Sequence, residues 1–125
     1  MISAIHHISL TTDDKELFEK AVKFYTEVLE LEVYRTWETG IMIKTGSGYI
    51  EIFNHVKGEF IDGAVEHFAL ACDSIDETIE KVRKAGFKIT KEPKDVVIPS
   101  EPPIPARIAF FTGPLGEKVE LFFEK

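Results

Sequence analysis

The chain has 125 residues, with 15 Lys and Arg against 22 Asp and Glu, a formal net charge of −7 and one cysteine, Cys72. A single cysteine closes no intramolecular disulfide, which excludes a disulfide-built scaffold and favours a reducing, cytoplasmic setting. The acidic balance argues against nucleic acid as a partner, and no apolar run approaches the roughly 20 residues that a membrane span needs.

Residues 5–11 alternate and contain β-branched side chains, which predicts a strand. Asp13 followed by Glu16 reads as a capping box opening a helix that runs to about Leu29. Its buried stripe is Leu17, Phe18, Ala21, Val22, Tyr25, Val28 and Leu29. Strands follow at 32–37, 41–44 and 49–54, separated by turns at 38–40 and 45–48. The order is β-α-β-β-β.

After a connection containing Gly58 and Gly63 the same order begins again. A strand at 65–72 leads into a helix that Ser74 and Glu77 cap, with Ile75, Thr78, Ile79, Val82 and Ala85 as its buried stripe and Gly86 at its end. A short strand at 87–90 precedes residues 91–106. Residues 93–105 hold five of the six prolines, so this stretch reads as an exposed, restrained loop or lid. Strands at 107–112 and 118–123 end the chain.

The second half repeats the first. AIHHISL at 4–10 matches AVEHFAL at 64–70, with a spacing of 60 that places His7 on His67. YIEIF at 49–53 matches KVELF at 118–122, with a spacing of 69 that places Glu51 on Glu120. The nine extra residues of the second half fall in its proline-rich segment. The chain is therefore read as one α+β domain, residues 1–125, built from module one (1–57) and module two (63–125), with a proline-rich loop at 91–106.

Alternation along the strands assigns faces. His7 lies with Ser9 and Thr11, opposite Ile8 and Leu10; His67 lies with Ala69 and Ala71, opposite Phe68 and Leu70. Glu51 lies with Tyr49 and Phe53, and Glu120 with Lys118 and Phe122. Each half thus carries one His and one Glu on the face its helix does not cover. A carboxylate central in a strand needs a partner, because an unpaired buried charge costs several kcal/mol, on the order of a whole domain's margin of stability. Two imidazoles and two carboxylates suit a divalent cation, with His7, Glu51, His67 and Glu120 as ligands. The plain alternatives are solvated or structural His and Glu side chains. His55 is read as lining the cleft mouth, His6 as exposed or helix-side, and Cys72 as a small apolar residue facing the helix.

The motifs IHHISL, FYTEVLELEV, GYIEIF, VEHFAL and GEKVELF, in this order, resemble the vicinal oxygen chelate family of glyoxalase, bleomycin-resistance and dioxygenase proteins. The resemblance implies tandem β-α-β-β-β modules forming an open, curved, mixed sheet around a metal-binding cleft. It implies one divalent metal ion (Ni, Zn, Co or Mn) per site on those same four ligands. Within the family the pattern is most similar to the glyoxalase I, or lactoylglutathione lyase, branch. The activity so implied isomerises the hemithioacetal of a 2-oxoaldehyde to a 2-hydroxyacyl thioester through an enediolate, with Glu120 as base and Glu51 as its counterpart. Alternatives are a relative of methylmalonyl-CoA epimerase, another lyase with a non-glutathione substrate, and a non-catalytic small-molecule (antibiotic) binding protein. Thr11 stands where glutathione-using members carry an Arg, so Arg35, Lys44 or Arg107 is expected to take over the anion contact, with Thr11 and His55 also around the substrate. Open sheet edges predict a homodimer.

Overall fold

A computed structural model describes residues 1–59 and 63–125, which form two compact units, one on either side of the undescribed residues. The connection expected between Gly58 and Gly63 lies partly outside the described residues. In the first unit β1 (His7–Thr11) is followed by α1 (Lys15–Lys23), β2 (Val33–Trp37), β3 (Gly40–Lys44) and β4 (Tyr49–Phe53). In the second, β5 (Phe68–Ala71) is followed by α2 (Ile75–Lys84), β6 (Ile89–Ile98), β7 (Ile104–Thr112) and β8 (Lys118–Glu124). Each unit is a four-stranded mixed sheet, ordered β1-β4-β3-β2 and β5-β8-β7-β6, with first and last strands parallel. No helix among the described residues is long and apolar enough to cross a membrane.

The ladders reproduce the sequence repeat residue for residue. Ser9 stands beside Glu51 in the first sheet and Ala69 beside Glu120 in the second. Those are the partners that spacings of 60 and 69 require. The helices close one face of each sheet: Ala21, Ile50 and Ile52 are fully buried in the first unit, Ile79, Val82 and Val119 in the second.

Local chemistry corrects several boundaries. The cap of α1 is Asp14, not Asp13, because the Asp14 carboxylate accepts from the Leu17 N–H at 3.0 Å; this moves Glu16 off the capping-box position. The helix continues as a π-helical turn over Phe24–Val28. Its wider turn brings both Phe24 and Tyr25 inward, ring centroids 5.1 Å apart, whereas a uniform 3.6-residue period buries Tyr25 alone. Ser74 caps α2 in position but makes no side-chain bond there. Gly86 ends that helix at φ +91°, a left-handed conformation that glycine adopts without penalty.

The proline-rich loop or lid expected at 91–106 is not a loop. Most of it belongs to β6 and β7, which pair antiparallel from Ile89–Phe111 to Ile98–Ile104. β6 is an outer strand, where proline forfeits no ladder bond, and the register slips between Lys91 and Lys94, around Pro93. Pro105 needs no donor of its own; its carbonyl accepts from the Lys125 N–H at 2.9 Å. β6 and β7 have 10 and 9 residues where β2 and β3 have 5 each, so the extra length of the second half is a longer hairpin.

Candidate functional site

In each unit the face without a helix carries a His–Glu pair. On the first sheet, Ser9, Glu51, Met42 and Arg35 form one row across β1, β4, β3 and β2, since register neighbours point the same way. The Ser9 hydroxyl donates to Glu51 Oε1 at 2.6 Å, and His7 Nε2 lies 3.6 Å from the same oxygen. His7 Nδ1 is 3.0 Å from His6 Nδ1, and the His6 ring packs 5.1 Å from Tyr49.

On the second sheet Glu120 stands between Ala69 and Phe110. Its residue is 8% exposed, yet Oε2 reaches His67 Nε2 at 2.9 Å. The His67 ring also packs edge-on against Phe110, centroids 5.2 Å apart. His67 Nδ1 meets the Glu66 carboxylate, which Lys118 approaches from its other oxygen at 3.5 Å. The hydrogen bond with Glu66 raises the His67 pKa above the ordinary 6.5; partial desolvation opposes the rise and the Glu120 charge adds to it. The same bond, with help from Lys118, holds Glu66 below the usual carboxylate range. The arrangement is an imidazole between two carboxylates, and both contacts favour its charged form.

The four expected ligands therefore meet as two pairs, one in each unit. The expectation of one divalent metal ion (Ni, Zn, Co or Mn) per site is corrected here. Among the described residues, no group of three or more His, Cys, Asp or Glu side chains is placed to hold a metal. The donors are committed elsewhere: both ring nitrogens of His67 face carboxylates, and Glu51 accepts from Ser9. One pair supplies two donors, fewer than the three or four protein ligands that such ions take.

The expected substrate-contacting residues separate. Arg35 lies on the Glu51 face, in the Glu51 row. The Thr11 hydroxyl donates to the Val56 carbonyl at 2.6 Å, tying the chain after β4 back to β1. His55 packs its ring 5.7 Å from Phe53, a residue of the Glu51 face. Arg107 belongs to the opposite face of its sheet, because Phe110, not Ala109 or Phe111, is the neighbour of Glu120. Its guanidinium binds Asp76 of α2 through Nε at 2.8 Å and Nη2 at 2.7 Å, and Asp95 of β6 at 3.1 Å. That fork makes Arg107 a clasp between helix and sheet.

Sequence reasoning passed over Ser9, Glu66 and Phe110. Glu66 was visible as the residue that replaces His6 in the repeat, and Ser9 as the His7 neighbour two positions along the same face. Phe110 carried no such signal, since its position depends on ladder register.

Comparison with known proteins agrees with this architecture. Residues 4–121 match the family model described as the Glyoxalase/Bleomycin resistance protein/Dioxygenase superfamily. A protein of Vibrio parahaemolyticus named "Probable lactoylglutathione lyase" is 30% identical over 97% of this chain and 91% of its own length. The glutathione transferase FosA of Serratia marcescens is 26% identical over 97% of this chain and 81% of its own. The trypanothione-dependent glyoxalase I of Leishmania major, at 24% identity, shares the fold with a TM-score of 0.73 over 98% of this chain and 87% of that one. A chain matched from residue 4 to residue 121, with two β-α-β-β-β modules in the same register, belongs to the glyoxalase/bleomycin resistance protein/dioxygenase superfamily.

Proposed function

We propose that this chain is an isomerase or lyase of the glyoxalase I type, converting the hemithioacetal of a 2-oxoaldehyde and a thiol into a 2-hydroxyacyl thioester. The observation that carries the reading is the matched His–Glu pair on the helix-free face of each module, 2.9 Å for His67–Glu120 and 3.6 Å for His7–Glu51. The Vibrio and Serratia relatives have names that contain a glutathione activity, which supports glutathione as the thiol.

The reaction is redox-neutral and needs only proton transfer. Glu120 takes the proton from the carbon that bears sulfur, and that C–H pair becomes the new C=C bond as the ketone oxygen takes up charge. The carboxylic acid so formed returns its proton to the neighbouring carbon. The hydroxyl proton passes between the two oxygens, which leaves a thioester and a new alcohol. Glu120 suits this work because it is nearly excluded from water, which keeps the proton from exchanging away. His67 stabilises the developing oxyanion, and Glu66 acts as a positioning residue whose hydrogen bond favours the protonated imidazole. Glu51, with Ser9 donating to it, is the corresponding carboxylate of module one.

A second reading has one observation in its favour. Thr11 spends its hydroxyl on the Val56 carbonyl and offers no cation where glutathione-using members have one, which favours the same proton transfer on an acyl-CoA thioester, as in an epimerase. Exposed Val33 on β2 and Val97 on β6, both on outer strands, support a homodimer. Incubation with methylglyoxal and glutathione, followed by thioester absorbance, tests the first reading. Proton exchange at the α-carbon of an acyl-CoA, followed by NMR in heavy water, tests the second. Absence of both conversions contradicts the assignment.

A further inference from the structure

On the first sheet, the β2–β3 ladder pairs Val33 with Ile43 and then Arg35 with Met42, so the register slips at Tyr34. In a regular strand Tyr34 and Arg35 point to opposite faces; an extra residue in the ladder lets both occupy one. The contacts show that it does so here. The Tyr34 ring lies 4.8 Å from the Tyr49 ring, two positions from Glu51 on its own face. Arg35 Cζ is 5.6 Å and Lys44 Nζ 5.9 Å from the Tyr34 ring centre. Lys44 is the register neighbour of Tyr49, and Arg35 shares the Glu51 row through Met42. An aromatic ring thus carries two cations from adjacent strands, and neither cation pairs with a carboxylate among the described residues.

We infer that Tyr34, Arg35 and Lys44 form an anion-recognition subsite on the Glu51 face, which takes a carboxylate or phosphate of the substrate remote from the reacting carbons. This rests on the proposed reaction and specifies its substrate. The Arg fork accepts two oxygens of one anion while Lys supplies a third donor. The ring limits the conformations of both long side chains without neutralising them. Arg35 stands two strands from Glu51, about 10 Å at ordinary strand spacing. That separation selects a substrate with an extended anionic arm, and a bare 2-hydroxy acid is too short. The subsite lies where the bulge puts it, on β2 and the end of β3, and uses none of the His–Glu residues.

The test uses the full chain and two probes, glutathione for the carboxylate arm and coenzyme A for the phosphate arm, titrated by calorimetry at low and high salt. One of them is expected to bind with an affinity that falls as salt rises. Arg35→Met with Lys44→Met should weaken that binding about tenfold or more, and Arg35→Lys should weaken it less. Circular dichroism should show unchanged folding in these surface variants. In turnover, the same variants should raise KM with little change in kcat. Failure of both probes to bind wild type, or equal binding by the double variant, overturns the subsite. Turnover with unchanged KM in the variants removes the subsite and leaves the reaction standing. Salt-sensitive binding that needs Arg35 and Lys44, without turnover of either substrate class, removes the reaction and leaves the subsite standing.

Discussion

Glu120→Gln keeps the length and shape of the side chain and removes its ability to carry a proton. Glu120 has its Oε2 2.9 Å from His67 Nε2, with side-chain exposures of 11% and 31% for Glu and His. An amide oxygen preserves that contact and loses the opposite charge. With the imidazole 31% open to solvent, the stability loss is about 1 kcal/mol. The catalytic loss is larger. A positioned carboxylate contributes roughly 10²–10⁴-fold to a proton transfer, or about 3–5 kcal/mol of barrier. The two effects separate by magnitude, so thioester formation is measured beside urea denaturation of the same preparation. A folded variant whose kcat stays within about tenfold of wild type refutes the role of Glu120 as base.

Three further outcomes follow from particular contacts. His67, followed by NMR, should titrate above 6.5, and Glu66→Gln should lower it; because the folded value is raised, the stability from the imidazolium is present below 6.5 and is lost as pH rises through the folded value. Equal His67 titration in both proteins contradicts the Glu66 contact. Asp76 and Asp95 are held below 3.8, the first by Arg107 and the second by Lys125 and Arg107, so their contribution is present above 3.8 and is lost as pH falls through the lower folded values. Arg107→Gln should therefore unfold in acid at a higher pH, read by circular dichroism, and an unchanged acid midpoint argues against the clasp. Gly40→Ala would set a Cβ 2.8 Å from the Trp37 ring and 2.9 Å from the Ile52 carbonyl oxygen, at a cost of about 1–3 kcal/mol. Trp37 is the single tryptophan, so its emission during denaturation reports the loss directly, and wild-type stability would show that β3 yields freely at this point.

The repeat was the most legible feature of the sequence, because residues that alternate on a strand keep their spacing whatever happens in the turns. His7 on His67 and Glu51 on Glu120 led to the duplicated modules and to the faces of those residues, while the parallel pairing of first and last strands came only with the ladders. The hairpin of β6 and β7 was hidden by its prolines, which count against a central strand and are tolerated on an outer one. The side chosen by Arg107 depends on which β7 residue stands beside Glu120, and alternation alone leaves both sides open. The cap of α1 turned on which of two adjacent aspartates reaches the Leu17 N–H, a matter of backbone direction. The metal set was read from residue types at matched positions. Their commitments to Ser9, to Glu66 and to one another are contacts that residue types do not reveal. The bulge at Tyr34 had no sequence signature, since a slip in register exists only between two strands.

The central claim is that this face moves a proton between adjacent carbons of a thiol adduct. The most direct measurement supplies the wild-type protein with the hemithioacetal of methylglyoxal and glutathione, deuterated at the carbon that bears sulfur. Thioester formation is then compared with the unlabelled substrate. A thioester that forms faster than in protein-free buffer, with a slower rate for the deuterated substrate, is the expected result. Formation no faster than in buffer, or equal wild-type rates with both substrates in single-turnover measurements, contradicts it.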